Sequence, residues 1–379
     1  MAAEASSAHY AMSLLSEWKK QNKEIYFFGV GTLEMEKNGF DRVGKAEEMA
    51  VVGLVEVIKH FSRLKLVFNE LLEKVKIERP QFVILMDYPD FNLRLAEQIK
   101  KIGIPVFYYI SPQVWAWRQN RIHDIKACCD HVFLLFPFEK IFYDHFQVPN
   151  TFVGHPLLED LKPELTDSNN ILQLRQKYGI KKSEQVLALM PGSRFGEIEK
   201  IFPTQLTTAS ILLKQNSQLR LVIFTAPTLQ KEDLKKYLEN YHYPFILIKD
   251  EPRYMIPIAD VVLVASGTAT LLVGLLQKPM VIMYKVSWLT GIIGGFLTRH
   301  LKYFGLVNLI LDENVVPEVK QSEAEPKNLA RLLELYIKND EYRNSTIAKL
   351  KNLKNKLGYD SNDSLNATQK VIQYLNRYF

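Results

Sequence analysis

Short apolar runs alternate with longer amphipathic segments along most of this chain of 379 residues. Continuous apolar runs are typical of strands buried on both faces of a parallel sheet, and amphipathic segments such as Phe91–Ile102 are typical of the helices that cover such a sheet. The pattern therefore predicts an α/β fold. The runs that we predict as strands are Ile25–Val30, Phe82–Met86, Val106–Ile110, Val132–Phe136, Thr151–Val153, Val186–Met190, Leu219–Phe224, Phe245–Ile248, Val261–Val264 and Met280–Tyr284.

A polar stretch from Lys162 to Asn170 interrupts this pattern before it starts again. We interpret the stretch as a linker. The chain then divides into two successive doubly wound, Rossmann-like domains, residues 1–165 and residues 166–379. Beyond Glu323 the sequence becomes helical and charged, and we assign these terminal helices to the second domain.

The composition excludes several classes of protein. With 47% hydrophobic residues the chain is too apolar for a disordered protein, and we find no internal repeat of the kind that builds a solenoid. A formal net charge of +6 is too small to predict a nucleic-acid partner, but it is compatible with an anionic membrane surface or a phosphorylated substrate. The two cysteines, Cys128 and Cys129, are adjacent, so we expect free thiols in a reducing cytoplasm and no metal site.

The first residues are unusual for an α/β chain. A loop of small residues from Ala3 to Ser7 precedes a helical pattern from His9 to Lys20, without a strand before the loop. The first strand of a doubly wound sheet is usually central. We therefore expect the natural chain to start upstream of Met1 with one more strand.

Two glycine-containing loops follow predicted strands in the second half of the chain. Their sequences are PGSR at residues 191–194 and ASGTA at residues 265–269. Backbone N–H groups are free where a helix begins after such a turn, and an adjacent arginine such as Arg194 can hold phosphate oxygens. Each loop alone could be an ordinary connection, but together they predict a nucleotide diphosphate site. They match neither a Walker A loop nor a GxGxxG fingerprint.

Acidic and aromatic segments follow two predicted strands in the first half. Asp87 and Asp90 close one strand, and either carboxylate could act as a general base; helix capping by Asp90 or Asn92 is the alternative. The sequence SPQVWAWR at residues 111–118, followed by Arg121, could close over a sugar or a phosphate by stacking and charge. Packing of its tryptophans against an inter-domain wall is the alternative there.

Two apolar segments with neighbouring basic residues could lie in a membrane interface. Burial in the core is the alternative for both, although the glycines of the second segment would make it a poor core helix. Neither reaches the roughly 18 to 20 apolar residues of a membrane-spanning helix. The residues predicted to face the membrane are Val57, Phe61 and Leu64 in the first segment, and Trp288, Ile292 and Phe296 in the second.

Taken together, these motifs resemble those of the lipid-A-disaccharide synthase family. The resemblance runs from about Glu4 to the helices beyond Gln321, and its most specific block is the WAWR sequence at residues 115–118. It implies a GT-B fold with an inter-domain crevice, and an inverting glycosyl transfer that uses no metal and no cofactor. The matching segments are Glu48–Leu54, Asp87–Asn92, Ser111–Arg118, Pro137–Lys140, Gly154–Pro156, Pro191–Arg194 and Ala265–Ala269.

The resemblance also implies a particular reaction and location. The donor would be UDP-2,3-diacylglucosamine, and the acceptor would be the 6-hydroxyl of 2,3-diacylglucosamine 1-phosphate. The products would be UDP and a β-1,6-linked disaccharide on the route to lipid A and the lipopolysaccharide of Gram-negative bacteria. Such a protein would lie peripherally on the cytoplasmic face of the inner membrane, and a homodimer that exchanges C-terminal segments is compatible with the family.

The same resemblance implies roles for individual residues. Asp90 would be the general base, and Arg194 would stabilise the departing diphosphate. The first domain would then be the acceptor side, and the second domain would bind the UDP-sugar. The residues expected to bind substrate or nucleotide are Glu4, Ser6, Gly192, Ser193, Ser266, Gly267, Thr268, Ala269 and Asn308.

Two positions depart from the pattern of the family. Leu272 stands where relatives carry a glutamate that can hold the ribose hydroxyls, and Ala8 stands where the opening loop usually has an aspartate. We expect altered substrate contacts in this branch, because the other motifs are intact. The alternatives are a lipid- or nucleotide-binding relative that has lost transferase activity, and another GT-B enzyme of UDP-sugars such as a UDP-N-acetylglucosamine 2-epimerase.

Overall fold

The computed structural model describes residues 5–21, 24–49, 54–116, 118–226, 229–285, 302–359 and 365–379. Contacts divide the chain into two compact units. The first unit is Met1–Glu159 together with Leu357–Phe379, and the second unit is Asp160–Lys356. The predicted boundary at residue 165 lies close to this division. The assignment of the whole C-terminal end to the second domain differs from the structure, because the last residues belong to the first unit.

Among its described residues, the first unit contains two parallel sheets. Strands β1 and β2 pair with each other, and the other four strands form a sheet in the order β3-β4-β5-β6. The elements are α1 (Ala5–Lys20), β1 (Phe27–Gly31), α2 (Leu33–Lys37), β2 (Phe40–Lys45), α3 (Ala46–Met49), α4 (Leu54–Glu78), β3 (Val83–Leu85), α5 (Pro89–Ile102), β4 (Val106–Tyr109), α6 (Arg121–Cys128), β5 (His131–Leu134), α7 (Pro137–His145) and β6 (Asn150–Phe152).

Strand β4 shows why this region forms a buried parallel sheet. Its sequence, VFYY, combines β-branched and aromatic residues, and all four are fully buried. Helices α5 and α6 contribute Ile99 and Ile122 to the core cluster that contains Val106 and Tyr108. Val106 and Tyr108 point to one face of the sheet, and Phe107, which points to the other face, meets the rings of Tyr374 and Tyr378 edge to face. Both faces of the sheet are therefore covered, as the continuous apolar run predicted.

An apolar cavity lies between β1 and β3 in the first unit. Side chains of α1, including Trp18, line it together with Val30 of β1 and Val83 of β3. Residues Met1–Glu4, where the additional strand was expected to join the chain, lie outside the described residues.

The described part of the second unit contains one parallel sheet of six strands in the order β12-β11-β10-β7-β8-β9. Its buried apolar strands pack against α9 and α14, and Leu206 and Leu333 lie in the same core cluster as Leu263. The elements are α8 (Ser168–Lys177), β7 (Gln185–Met190), α9 (Phe195–Gln215), β8 (Leu219–Thr225), α10 (Lys231–Leu238), β9 (Phe245–Lys249), α11 (Pro252–Met255), β10 (Val261–Ala265), α12 (Thr268–Leu275), β11 (Met280–Tyr284), α13 (Leu306–Leu311), β12 (Glu318–Lys320), α14 (Pro326–Lys338), α15 (Asp340–Leu350) and α16 (Asn352–Lys356).

The last helix, α17 (Ala367–Leu375), returns to the first unit. Tyr374 stacks on the imidazole of His131 with the ring centroids 4.2 Å apart, and it meets Phe133 edge to face at 5.3 Å. Glu159 accepts hydrogen bonds from the backbone N–H and the hydroxyl of Thr368, both at 2.9 Å. These contacts with β5 and with the end of the first segment explain why the C-terminal residues complete the first unit.

Candidate functional site

The carboxyl ends of β7 and β10 lie side by side in the second unit. The two strands are neighbours in the sheet, and Val264 of β10 pairs with Met190 of β7. From β7 the chain adds β8 and β9 on one side and then places β10 on the other side, so the strand order reverses between β7 and β10. Ligands of open α/β sheets bind outside the carboxyl ends of strands at such a reversal. Both predicted phosphate loops begin there.

The loop after β7 requires glycine at position 192. Gly192 has a φ angle of 111°, and an added Cβ atom would lie 2.5 Å from Oε2 of Glu197. Helix α9 begins directly after Arg194 and has 21 residues. The free N–H groups and the dipole at the start of such a helix favour an anion.

A carboxylate of the protein occupies part of this position. Oε2 of Glu197 accepts a hydrogen bond from the backbone N–H of Ser193 at 3.1 Å, and Oε1 lies 3.9 Å from Nη1 of Arg194. The side chain of Arg194 is 60% exposed, so it can reach an external anion. The structure thus brings Ser193 and Arg194 together around an internal negative charge.

Gln205 ties the two strand ends together from helix α9. Its amide nitrogen donates to the backbone carbonyls of Met190, at 3.2 Å, and Leu263, at 3.1 Å. The residue is fully buried. Sequence reasoning missed this residue, because a glutamine within a helix resembles any surface residue until the fold places it under the sheet.

The loop after β10 presents small and polar residues next to β11. The backbone N–H of Ser266 donates to the carbonyl of Met283 at 2.9 Å. Gly267 and Thr268 are exposed at the start of α12, and Ala269 is half-buried. Leu272 lies half-buried in α12 and has no side-chain acceptor for a ribose hydroxyl. The exposed small residues allow a ligand to approach the backbone here.

The hydrogen bond from Ser266 to Met283, at 2.9 Å, also fixes this loop to the end of β11. Lys285 directly follows the last residue of β11, and its Nζ donates to the hydroxyl of Thr204 in α9 at 3.1 Å. Besides Arg194, a second cation therefore contacts α9, the helix that follows the predicted phosphate loop.

Asn308, which the resemblance assigned to the nucleotide, is a buried residue with several hydrogen bonds inside the second unit. Its side chain is fully buried at the start of α13, and its amide oxygen accepts from the backbone N–H groups of Val315, at 2.9 Å, and Val316, at 3.1 Å. Its amide nitrogen donates to the carbonyl of Val316 at 2.8 Å and to Glu318 at 2.7 Å. These bonds hold the turn before β12, and the contact of Asn308 with the nucleotide stays a prediction.

The ends of β3 and β4 in the first unit carry backbone strain. Asp87 and Tyr88 after β3 have φ angles of 51° and 46°, and Ile110 after β4 has a φ angle of 63°. A β-branched residue is rarely found in this left-handed region. The backbone N–H of Asp87 donates to the carbonyl of Ile110 at 3.1 Å, so the strained residues are neighbours. Clusters of such residues are a mark of functional sites.

Asp90 lies in the first turn of α5, directly after this strained segment. Its carboxylate pairs with the guanidinium of Arg121, and Nη1 of Arg118 lies 3.6 Å from the same oxygen. The side chain of Asp90 is 74% exposed. The structure thus joins the two segments that the sequence singled out, and it adds Arg121 as the closer partner of the predicted base.

The alternative role of Asp90 and Asn92 in helix capping is not what the structure shows. The N-cap of α5 is Tyr88, and its side chain makes no capping hydrogen bond. The buried amide nitrogen of Asn92 donates to the carbonyls of Met86, at 3.1 Å, and Asp87, at 2.6 Å. Asn92 therefore holds the strained turn from beneath, and the carboxylate of Asp90 points away from it toward the arginines.

Trp115 in the loop after β4 is buried and bonded to a second buried residue. Its indole nitrogen donates to Oε1 of Glu139 at 3.1 Å, and its ring meets Phe138 edge to face at 4.7 Å. Burial raises the pKa of the Glu139 carboxyl to about 7. Trp115 thus packs inside the first unit, and neither predicted role of the loop is tested by this packing. Trp117 lies outside the described residues.

His155 after β6 is a structural residue in this fold. Its ring is buried, and Nδ1 accepts a hydrogen bond from the backbone N–H of Leu157 at 3.1 Å. Burial lowers the pKa of the imidazole to about 3, so the ring is neutral at physiological pH.

Among the residues predicted to face the membrane, Leu64 can be placed by the structure. It is partly buried and packs against the core of the first unit, which favours the core alternative for that residue. Within the described residues, no helix is long and apolar enough to cross a membrane, and no cluster of three or more His, Cys, Asp or Glu side chains could hold a metal ion. The residues whose side chains lie outside the description are Glu4, Ser6, Val57, Phe61, Trp288, Ile292 and Phe296.

Parallel sheets in both units, and loops at a reversal of strand order, define a GT-B glycosyltransferase fold. Solved structures with this fold are similar over nearly the whole chain. UDP-GlcNAc 2-epimerase from Neisseria meningitidis, bound to UDP-GlcNAc, has a TM-score of 0.63 at 15% identity, covering 99% of this chain and 98% of its own. HepE from Anabaena, in complex with UDP and glucose, has a TM-score of 0.54 at 12% identity, covering 92% of this chain and 91% of its own.

Sequence similarity identifies the family within this class. The family model described as lipid-A-disaccharide synthetase matches residues 1–371, and the chain belongs to this family. Lipid-A-disaccharide synthase of Trichlorobacter lovleyi is 36% identical over 358 residues, covering 94% of this chain and 92% of the relative. Lipid-A-disaccharide synthase 1 of Legionella pneumophila strain Philadelphia 1 is 35% identical over 364 residues, covering 96% of this chain and 94% of the relative.

Proposed function

We propose that this protein transfers 2,3-diacylglucosamine from UDP-2,3-diacylglucosamine to the 6-hydroxyl of 2,3-diacylglucosamine 1-phosphate and releases UDP. The observation that carries the proposal is the pair of loops at the reversal of strand order, in a chain of the lipid-A-disaccharide synthase family. The second unit is then the UDP-sugar side, and the first unit is the acceptor side.

The donor diphosphate binds where the two loops of the second unit begin. The backbone of Gly192–Arg194 and the accessible residues Ser266–Ala269 supply hydrogen-bond donors, and Arg194 supplies an exposed positive charge. As the anomeric C–O bond breaks, its electron pair moves onto the diphosphate oxygen. The guanidinium of Arg194 and the start of α9 stabilise that negative charge.

The acceptor is activated in the first unit by Asp90. Its carboxylate takes the proton from the acceptor 6-hydroxyl while the oxygen forms a new bond to the anomeric carbon, on the face opposite the departing UDP. The configuration at this carbon is therefore inverted. Arg118 and Arg121 hold the carboxylate in place, and its exposure leaves one side open to the substrate.

Both proposed substrates carry acyl chains, so we expect the protein to meet them at a membrane surface. We propose that the protein binds peripherally to the anionic inner face of the inner membrane, with Trp288, Ile292 and Phe296 in the interface. Replacing these three residues with serine should weaken sedimentation with anionic phospholipid vesicles, because the apolar side chains no longer insert into the interface. Unchanged sedimentation with anionic vesicles would contradict this role.

The central experiment supplies both acylated glucosamine substrates in detergent and measures UDP and the disaccharide 1-phosphate by mass spectrometry. Formation of both products in equal amounts supports the proposal. UDP binding without any product would instead support a relative that has lost transferase activity. Conversion of unacylated UDP-N-acetylglucosamine in place of the lipid substrates would indicate another GT-B enzyme.

A further inference from the structure

Glu139 is a buried carboxylate whose three hydrogen-bond donors come from two different loops. It lies in the first turn of α7 and is only 3% exposed. Oε2 accepts from the backbone N–H groups of Leu135, at 3.1 Å, and Phe136, at 3.0 Å. Oε1 accepts from the indole nitrogen of Trp115 at 3.1 Å. A buried charge is costly unless its hydrogen bonds are made, so this position requires an explanation.

Capping of α7 explains only one of the two carboxylate oxygens. A glutamate at the third position of a helix often reaches back to the backbone N–H at the N-cap, and such residues usually do so at the surface. Oε2 of Glu139 makes this contact. Oε1 is directed instead across to the loop after β4, and Trp115 is itself buried there. Glu139 thus connects the loop after β5 with the loop after β4.

The loop that Glu139 holds also carries the arginines that pair with Asp90. Gln119 donates from its amide to the carbonyl of Trp115 at 3.2 Å, which closes the loop on itself. Arg118 lies immediately before Gln119, and Arg121 begins helix α6. Both arginines contact the carboxylate of Asp90. A continuous set of contacts therefore leads from Glu139 through Trp115 to the predicted base.

We propose that Glu139 is a positioning residue for glycosyl transfer, which fixes the Trp115 loop so that Arg118 and Arg121 hold Asp90 toward the acceptor. This inference rests on the proposed function of Asp90. Glu139 touches no reacting atom, and it acts by setting the distance between the carboxylate and the acceptor hydroxyl.

Glutamine at position 139 tests the contact with little change in shape. Its amide has one acceptor oxygen and one donor nitrogen. If the oxygen keeps the backbone N–H groups, the nitrogen faces the indole N–H of Trp115, and two donors meet. Phe at position 115 removes the indole donor, so W115F relieves the conflict in the double variant.

We expect E139Q, measured at pH 8, to lower kcat about 10- to 100-fold, since small misplacements of catalytic groups cost this much. KM for both substrates should stay within about twofold, and E97Q, a surface change in α5, should match the wild type. W115F should also lower kcat, and the double variant E139Q/W115F should be no slower than the slower single variant. Wild-type kcat in E139Q, or independent losses that multiply in the double variant, would overturn the inference.

A second measurement does not depend on turnover. In ¹⁵N NMR spectra of the folded protein, E139Q should shift both the indole signal of Trp115 and the guanidinium Nε signal of Arg121. A shift of the indole alone would show that the contact ends at Trp115, and the inference would be wrong even if the wild type forms the disaccharide. Shifts of both signals in a protein that forms no disaccharide would refute the proposed function and leave the structural connection intact.

Discussion

At the scale of single residues, Asp90 is an exposed carboxylate held by two arginines rather than a buried one. Its oxygen contacts Arg118 and Arg121, and 74% of its side chain remains accessible. The arginines restrict its orientation, and its exposure allows a bulky acceptor to approach. General bases of this kind contribute about 10²- to 10⁴-fold to a rate.

D90N should therefore lower kcat by about 10²- to 10⁴-fold, because the amide cannot accept the proton of the acceptor hydroxyl. The assay is the release of UDP under saturating substrates. D340N is a matched control, because Asp340 also lies in the first turn of a helix, is 78% exposed and pairs with an arginine. A rate for D90N close to that of D340N would remove Asp90 from the mechanism.

The raised pKa of Glu139 predicts a pH dependence of stability. Burial raises this pKa from 4.5 to about 7, so the folded protein keeps a proton that the unfolded chain releases. The stabilising contribution of the protonated form is complete below pH 4.5 and is lost as the pH rises through about 7. The shift corresponds to about 3 kcal/mol.

Urea denaturation of the wild type and of E139Q between pH 5 and pH 8 measures this contribution. The free energy of unfolding of the wild type, relative to E139Q, should fall by up to about 3 kcal/mol across this interval. Other groups titrate equally in both proteins, so the difference isolates Glu139. Parallel curves would show that the carboxyl is ionised throughout.

Single residues also show what the sequence could and could not predict. The turn at Asp87–Asn92 and the loop at 191–194 were placed correctly, because each directly follows a long apolar run. The burial of Glu139 and Gln205 could not be predicted, since polar residues in helices are usually exposed. Asn308 was predicted as a nucleotide contact by resemblance, and the hydrogen bonds by which its amide holds a turn within the second unit could not be predicted from the sequence.

At the scale of elements, two glycines lie at the junction of β7 and α9, and only the first of them requires glycine. Gly192 has a φ angle of 111° and no room for a Cβ atom beside Glu197. Gly196, in the first turn of α9, would have nothing within 4 Å of an added Cβ. G192A should destabilise the protein by about 1–3 kcal/mol and weaken UDP binding. G196A should leave UDP binding intact and stabilise α9 by about 0.5–1 kcal/mol.

Thermal unfolding and calorimetric titration with UDP test this pair of variants. Equal effects of both substitutions would show that the loop does not need the left-handed conformation at position 192. Loss of UDP binding in G196A would instead mean that the ligand packs against the first turn of α9.

At the same junction, the carboxylate of Glu197 occupies part of the position that we propose for the diphosphate. It accepts the N–H of Ser193 and lies near Arg194, which are the groups that we assign to the diphosphate. E197Q removes the negative charge, so UDP should bind about 3- to 10-fold more tightly, as expected for one repulsion near a surface. Titration with UDP, with E199Q on the exposed side of α9 as the control, measures this change. Weaker binding in E197Q would show that the carboxylate positions Arg194 for the ligand.

The prediction of elements succeeded where a strand is buried and failed where it is polar. Strand β4 was predicted as Val106–Ile110 and is observed as Val106–Tyr109. Strand β2, with the sequence FDRVGK, was missed, because its alternating charged residues do not form an apolar run. Strand β12, with only three residues at the edge of its sheet, was missed for the same reason.

At the scale of the whole molecule, the two units are not two consecutive segments of the chain. The first unit is completed by residues from the far end of the chain, and helix α17 packs on it through aromatic contacts. The sequence shows that this end is helical and amphipathic, but it does not show which core the helix covers. The partner of an amphipathic helix is set by contacts distant in sequence, so local patterns could not assign α17 to the first unit.

The aromatic contacts of Tyr374 predict that stability and nucleotide binding can be separated. Tyr374 stacks on His131 and meets Phe133 edge to face, so Y374A removes a large part of the contact between α17 and β5. Because the ring is partly exposed, the free energy of unfolding should fall by about 2–3 kcal/mol, below the cost of a fully buried aromatic residue. Y359A is the control, since Tyr359 lies in the same terminal segment and is 55% exposed.

Calorimetry with UDP should show unchanged affinity for both variants at temperatures where they are folded, because the loops that we propose for the nucleotide lie in the second unit. Equal stabilities of Y374A and Y359A would mean that α17 does not hold the first unit together. Weaker UDP binding by folded Y374A would mean that the last helix also acts on the second unit.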